Sequence, residues 1–155
     1  MTTEIVRRNA ADNVYLLKDF HGALSTGLTY LEQRYGAEAV RDYLRQFAST
    51  FYAGVTQAIN ERGLIALREY LERVYEIEGG QFDIAFSDDE LLLEVEACPA
   101  VTHMRGHGYA VAPLFHETSK TVYAAICEGT QFVSEWLRYD EVRGRSAVRF
   151  FRRQP

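Results

Sequence analysis

Apolar positions recur at intervals of three and four from Val14 onward, through Leu16, Leu17, Phe20, Ala23, Leu24, Leu28 and Leu31. That is the period of an amphipathic helix, weakened by Gly22 and Gly27 and closed by Gly36. Ala37 to about Glu61 repeats the pattern through Val40, Tyr43, Leu44, Phe47, Phe51, Val55 and Ile59, which predicts a second helix ending at Gly63. A third helix, Leu64 to about Glu76, turns Leu67, Leu71, Val74 and Tyr75 inward and Arg68, Glu72 and Arg73 outward. Gly79 and Gly80 break it. Short connections between these helices favour antiparallel neighbours.

Beyond the double glycine the period drops to two. Phe82, Ile84 and Phe86 alternate with polar residues, Ser87-Asp88-Asp89 makes a turn, and Leu91, Leu93, Val95 and Ala97 alternate again, so this stretch predicts a hairpin. Pro99 suits the first turn of a short helix over Ala100 to Arg105, which Gly106 and Gly108 end. Phe115 to about Gly129 carries Val122, Ala125 and Ile126 on one helical face. Phe132 to Val142 and Ser146 to Arg152, joined at Arg143-Gly144, form a terminal hairpin. The expected class is α+β: a helical N-terminal half packed on an antiparallel sheet formed by the C-terminal half, with inserted helices.

With 155 residues, 47% hydrophobic and 13% aromatic, the chain suits a single domain over residues 1–155. Residues 1–12 read as a loose arm, with Asp12 or Asn13 available to cap the first helix. The 22 acidic residues outnumber 17 basic ones, for a net charge of -5, which argues against a nucleic-acid partner. No apolar run reaches the roughly eighteen residues of a membrane span, and the polar start lacks the apolar core of a signal peptide. A cytoplasmic protein with reduced thiols, no cofactor and no resident metal is the expectation.

Candidate chemistry concentrates between Cys98 and Cys127, a stretch with both cysteines and three of the four histidines. Cys98 ends a predicted strand just before a predicted helix, where free backbone N–H groups and the helix dipole favour a thiolate. Cysteine is also among the most buried residue types and packs as a small hydrophobe, the role expected of Cys127. His103, His107 and His116 supply imidazoles able to deprotonate a thiol or a water. The same residues suggest a rival zinc set of Cys98, His103, His107 and His116, but their spacing is not that of a standard site. His21 lies in a patch of small residues, Gly22, Ala23, Ser25 and Gly27, that lets another backbone or a ligand approach the first helix. Arg145, Arg149 and Arg153 share one face of the last strand and offer either a clamp for a substrate carboxylate or a solvated charged stripe.

Four segments together, DFHGALSTGLTYLEQRYG, CPAVTHMR, FHETSKTVYAAIC and VRFFRR, give a chain that resembles the L-2-amino-thiazoline-4-carboxylic acid hydrolase family over most of its length. Cys98 matches that family's Cys-Pro and Cys127 a frequent second cysteine, while Thr130 and Val148 stand where its pattern has Asp and Cys. The resemblance implies an α+β domain and hydrolytic opening of a cyclic amidine C–N bond. Cys98 and His103 are then the expected catalytic residues, and His21, His107, His116, Arg145 and Arg149 the expected contacts to a small carboxylate substrate. Two other classes stay open. A ligand-binding or sensing module would use Tyr109, Phe115, Tyr123 and Trp136 as pocket walls without a reactive thiol. An assembly protein would pair copies through the aromatic residues Tyr30, Tyr35, Tyr43, Phe47, Phe51 and Tyr52, so a homodimer is expected there.

Overall fold

The computed structural model describes residues 16–154, and the expected arm and its cap at Asp12 or Asn13 lie outside them. The described chain is an α+β fold. Four helices come first: α1 (Leu16–Tyr35), α2 (Ala37–Phe51), α3 (Ala53–Arg62) and α4 (Leu64–Ile77). Strands β1 (Gln81–Phe86) and β2 (Glu90–Ala97) follow, then α5 (Pro99–Gly106), α6 (Glu117–Cys127), β3 (Phe132–Asp140) and β4 (Arg145–Arg152).

The sheet is antiparallel throughout, in the order β1-β2-β4-β3, so the last strand sits inside it. Each hairpin supplies one edge, and β4 inserts against β2 with Leu91 opposite Phe150, Leu93 opposite Val148 and Val95 opposite Ser146. These residues face the helices and are buried, whereas Glu90, Glu94, Arg145 and Arg149 alternate with them on the other face. A bulge between Trp136 and Arg138 shifts the β3 register. Trp136 pairs with Val148 and Tyr139 with Ser146, so two aromatics three residues apart reach the same face.

Helices α4 and α6 rest on the sheet, α2 packs against α6, and α1 against α2 and α5. One buried cluster runs through both halves, from Leu28, Val40 and Leu67 to Met104, Ile126 and Phe150. Ser25, 1% exposed, donates from Oγ to the Ala110 carbonyl at 3.0 Å and accepts from the Ala112 N–H at 2.8 Å. The small-residue patch on α1 therefore receives the loop after α5, and the Tyr109 ring lies 3.5 Å from where a Gly22 side chain would begin.

Two elements differ from expectation. The single helix expected over Ala37 to Glu61 is two, because the backbone turns at Tyr52 (φ -98, ψ 15). Tyr52 itself is neither glycine nor proline, although Gly54 follows in the first turn of α3. The Tyr52 ring packs edge-on against Phe47, Phe51 and Tyr70, and the turn aims α3 so that Thr56 Oγ1 donates to the Ile126 carbonyl at 2.8 Å. The last helix starts at Glu117 rather than Phe115. Phe115 and His116 stay in the preceding turn, from which their side chains reach inward.

A candidate site around Cys98

Cys98 follows β2 directly and is the N-cap of α5, with Pro99 in the first turn, where its missing N–H is not needed. Its own N–H donates to the Arg143 carbonyl at 3.0 Å, which draws the β3–β4 turn onto it. Gly144 makes that approach possible. It has φ +65, and a Cβ there would lie 2.5 Å from Cys98 Cβ and 3.2 Å from Val101 Cγ2.

Beneath this turn is a cavity of about 20 Å³, room for about one water molecule. Cys98, Val101, Tyr75 and Phe115 form one side, Trp136 and Tyr139 another, and His116, Ser119 and Ser146 add polar groups. Among the described residues no Arg or Lys lines it.

Burial pushes the Cys98 thiol above its ordinary range, and the nearby negative charge of Glu78 adds to the rise. The N–H groups of Ala100 and Val101 at the start of α5 pull the other way and do not compensate. The thiolate expected from the helix N-terminus is thus overridden by desolvation, and at neutral pH Cys98 is a thiol. Tyr75 and Tyr139 are likewise raised by burial. The Tyr75 hydroxyl lies 3.2 Å from that of Tyr123, whose own ionisation burial raises to about 12.

His116 caps the start of α6, its ring centroid 5.1 Å from that of Tyr139. Its Nε2 lies 3.6 Å from Glu117 Oε1, and its Nδ1 is buried with no hydrogen-bond partner among the described residues. Glu117 is only 2% exposed. Oε1 accepts from Arg41 Nε at 3.1 Å and Oε2 from Thr121 Oγ1 at 2.6 Å. Burial works against its ionisation, but the hydrogen bonds from Thr121 and Arg41 outweigh it and hold the carboxyl below its usual range.

The other expected site residues lie elsewhere. His103 is five residues along α5 from Cys98, about 140° around the helix. Its ring lies tilted against that of His107, 4.2 Å between centroids, and His103 is not among the residues lining the cavity that Cys98 lines, so the expected Cys98–His103 pair does not share it. His107 is exposed and donates from Nδ1 to the His103 carbonyl at 2.8 Å. The four-ligand zinc set does not assemble, and no group of three or more His, Cys, Asp or Glu among the described residues is placed to hold a metal. His21 sits behind Phe115, at 6.4 Å between rings, and its Nε2 donates to Glu78 at 3.3 Å.

Arg145 and Arg149 do not reach the cavity either. Strand alternation sends them to the uncovered face, where Arg145 pairs with Glu96 at 3.1 Å and Arg149 with Glu90 at 2.7 Å. Of the expected aromatic walls, Phe115 and Trp136 line the cavity, Tyr123 stands behind Tyr75, and Tyr109 is 50% exposed. Cys127 is core, its thiol pushed up to about 12 by burial. Thr130 Oγ1 donates to the Cys127 carbonyl at 2.7 Å and accepts from the Phe132 N–H at 3.1 Å, and Val148 is 1% exposed, so both positions serve the fold here.

Sequence reasoning missed Tyr75, Tyr139, Gly144 and Glu117. Only Glu117 carried a local signal: with Thr121 it places polar groups four residues apart on the face of α6 that packs inward. No helix among the described residues is long and apolar enough to cross a membrane. No model of a known family matches the chain, and no curated protein gives a significant match.

Proposed function

We propose that this protein is a small-molecule hydrolase that opens a C–N bond in a cyclic amidine, with Cys98 as nucleophile and His116 as base. One observation carries the reading: a neutral thiol and an imidazole with a buried, unpartnered Nδ1 share the walls of one small cavity. A neutral thiol is a poor nucleophile, so this chemistry requires a base within reach, directly or through one water. His116 takes the part expected of His103.

In the reaction, the Cys98 proton passes to His116 Nδ1 and the sulfur adds to the amidine carbon. The ring C–N bond then breaks and the nitrogen leaves as an amine, taking the proton from His116. A water deprotonated by the same imidazole attacks the sulfur-bound carbon, and Cys98 departs as thiol. The substrate ring is larger than the cavity, so its entry displaces the Glu141–Gly144 turn, which is tied down by the Cys98 N–H and by Arg105 Nη2 donating to the Glu141 carbonyl at 3.0 Å. This version has no arginine clamp for a carboxylate.

The raised thiol also suits the second reading, a small-ligand-binding or sensing module without catalysis. Amine release from L-2-amino-thiazoline-4-carboxylate and from its ring analogue 2-amino-thiazoline, which lacks the carboxylate, separates the two. Turnover lost in both Cys98→Ala and His116→Asn supports the hydrolase, and turnover unchanged in both variants sinks it. Protection of Cys98 from alkylation by either compound without turnover supports the binding module. A cytoplasmic location and a homodimer formed through exposed Tyr30, Tyr43 and Phe51 belong to the same proposal, and sedimentation against concentration checks the dimer.

A further inference from the structure

We propose that Glu117 is the positioning residue of this site, holding the His116 ring in the Nε2–H tautomer so that Nδ1 remains the basic atom of the imidazole that shares the cavity with Cys98. The inference rests on the reading of His116 as base. A carboxylate 2% exposed is costly to bury, and Arg41 and Thr121 together satisfy both of its oxygens. They also fix its orientation, with Oε1 turned toward His116 Nε2 at 3.6 Å. An ionised carboxylate only accepts hydrogen bonds, so a ring nitrogen facing it is favoured as N–H and disfavoured as a lone pair. Neutral imidazole has one N–H, and placing it on Nε2 leaves Nδ1 unprotonated.

The separation exceeds a direct hydrogen bond, so Glu117 acts by orienting charge, and its hold strengthens when His116 becomes an imidazolium. The ring's backbone is fixed as well, since the His116 carbonyl accepts from the N–H groups of Lys120 at 3.0 Å and Ser119 at 3.1 Å. The hydrogen bonds from Thr121 and Arg41 keep the Glu117 carboxylate ionised against its burial.

Long-range proton–nitrogen NMR of the neutral His116 ring in the full chain tests this directly. The expected spectrum has a protonated Nε2 and an unprotonated Nδ1, and Glu117→Gln mixes the two tautomers. In the same variant, alkylation of Cys98 by iodoacetamide at neutral pH slows by about tenfold, a modest share of a general-base effect. A protonated Nδ1 in the unmutated protein, or an unchanged tautomer in Glu117→Gln, overturns the proposal. Should Glu117→Gln fail to fold, Thr121→Val keeps the carboxylate and removes one anchor, with a smaller change in the same direction expected and none counting against it. If Glu117→Gln shifts the tautomer while Cys98 alkylation ignores both it and His116→Asn, Glu117 keeps its hold on the ring and His116 loses its role as base.

Discussion

On the uncovered face of the sheet, Arg145 stands 3.1 Å from Glu96; in the helical layer over the other face, Arg41 stands 3.1 Å from Glu117. Distance and chemistry match, and surroundings differ. The Arg145 and Glu96 side chains are 47% and 45% exposed, whereas the Glu117 side chain is 3% exposed beneath a partly exposed Arg41. Two unit charges 4 Å apart attract by about 1 kcal/mol in water and about 4 kcal/mol at the effective dielectric near a protein surface. Water thus weakens the outer pair, while the inner pair holds a buried carboxylate ionised beside an imidazole. The arginines that looked like a substrate clamp fall on the side where charge is screened.

Adjacent phenylalanines give the sharpest test of this contrast. Phe150 is fully buried against Tyr123, and Phe151 lies on the outer face under the Arg149 guanidinium at 4.3 Å. Phe150→Ala should cost about 3–5 kcal/mol in urea unfolding and Phe151→Ala about 1 kcal/mol. Equal losses would erase the distinction between the faces. Gly144→Ala comes next, at about 3 kcal/mol, because its Cβ meets Cys98 Cβ at 2.5 Å and its φ of +65 suits glycine. That variant should also expose Cys98 and raise its alkylation rate.

Arg41→Met strands the Glu117 charge and should cost about 2 kcal/mol, less than a fully buried pair because Arg41 is 36% exposed. The pH dependence has a definite sign. Glu117 titrates lower in the folded chain than in the unfolded one, so its stabilisation is complete above the ordinary carboxyl range and is lost as pH falls through the folded value. Glu117→Gln should therefore show a shallower loss of stability in acid. Arg145→Met is the smallest, about 1 kcal/mol or less, and fading with added salt.

The helices and strands were legible because burial imposes periods of 3.6 and 2 on the sequence. Tyr52 was not, because the apolar period runs unbroken through Phe51, Val55 and Ile59 and only the packing of Tyr52 on Tyr70 reveals the turn. The Cys-Pro step pointed to Cys98, which lines the cavity. Its electrostatic sense was hidden, since the groups that dry Cys98 come from Arg143 and Gly144, far along the chain. His103 was favoured over His116 by proximity in sequence, yet a helix turns His103 away and a tertiary return brings His116 in. Alternation along β4 was readable, but which face the helices cover was not, so Arg145 and Arg149 could be put on one side without knowing that it was the open one.

The interior place of β4 also has a consequence during synthesis. Leu93 leaves the ribosome well before its partner Val148, by on the order of 3–10 s at ordinary elongation rates. Through that interval β2 has a free edge in the nascent chain, the kind of edge that recruits strands from neighbouring molecules. Glu90, Glu94 and Glu96 place three like charges along it, and two nascent copies repel one another there. Arg149, Arg138 and Arg145 later neutralise those three glutamates in turn. The stripe that screens the finished surface thus begins as protection for an unfinished sheet.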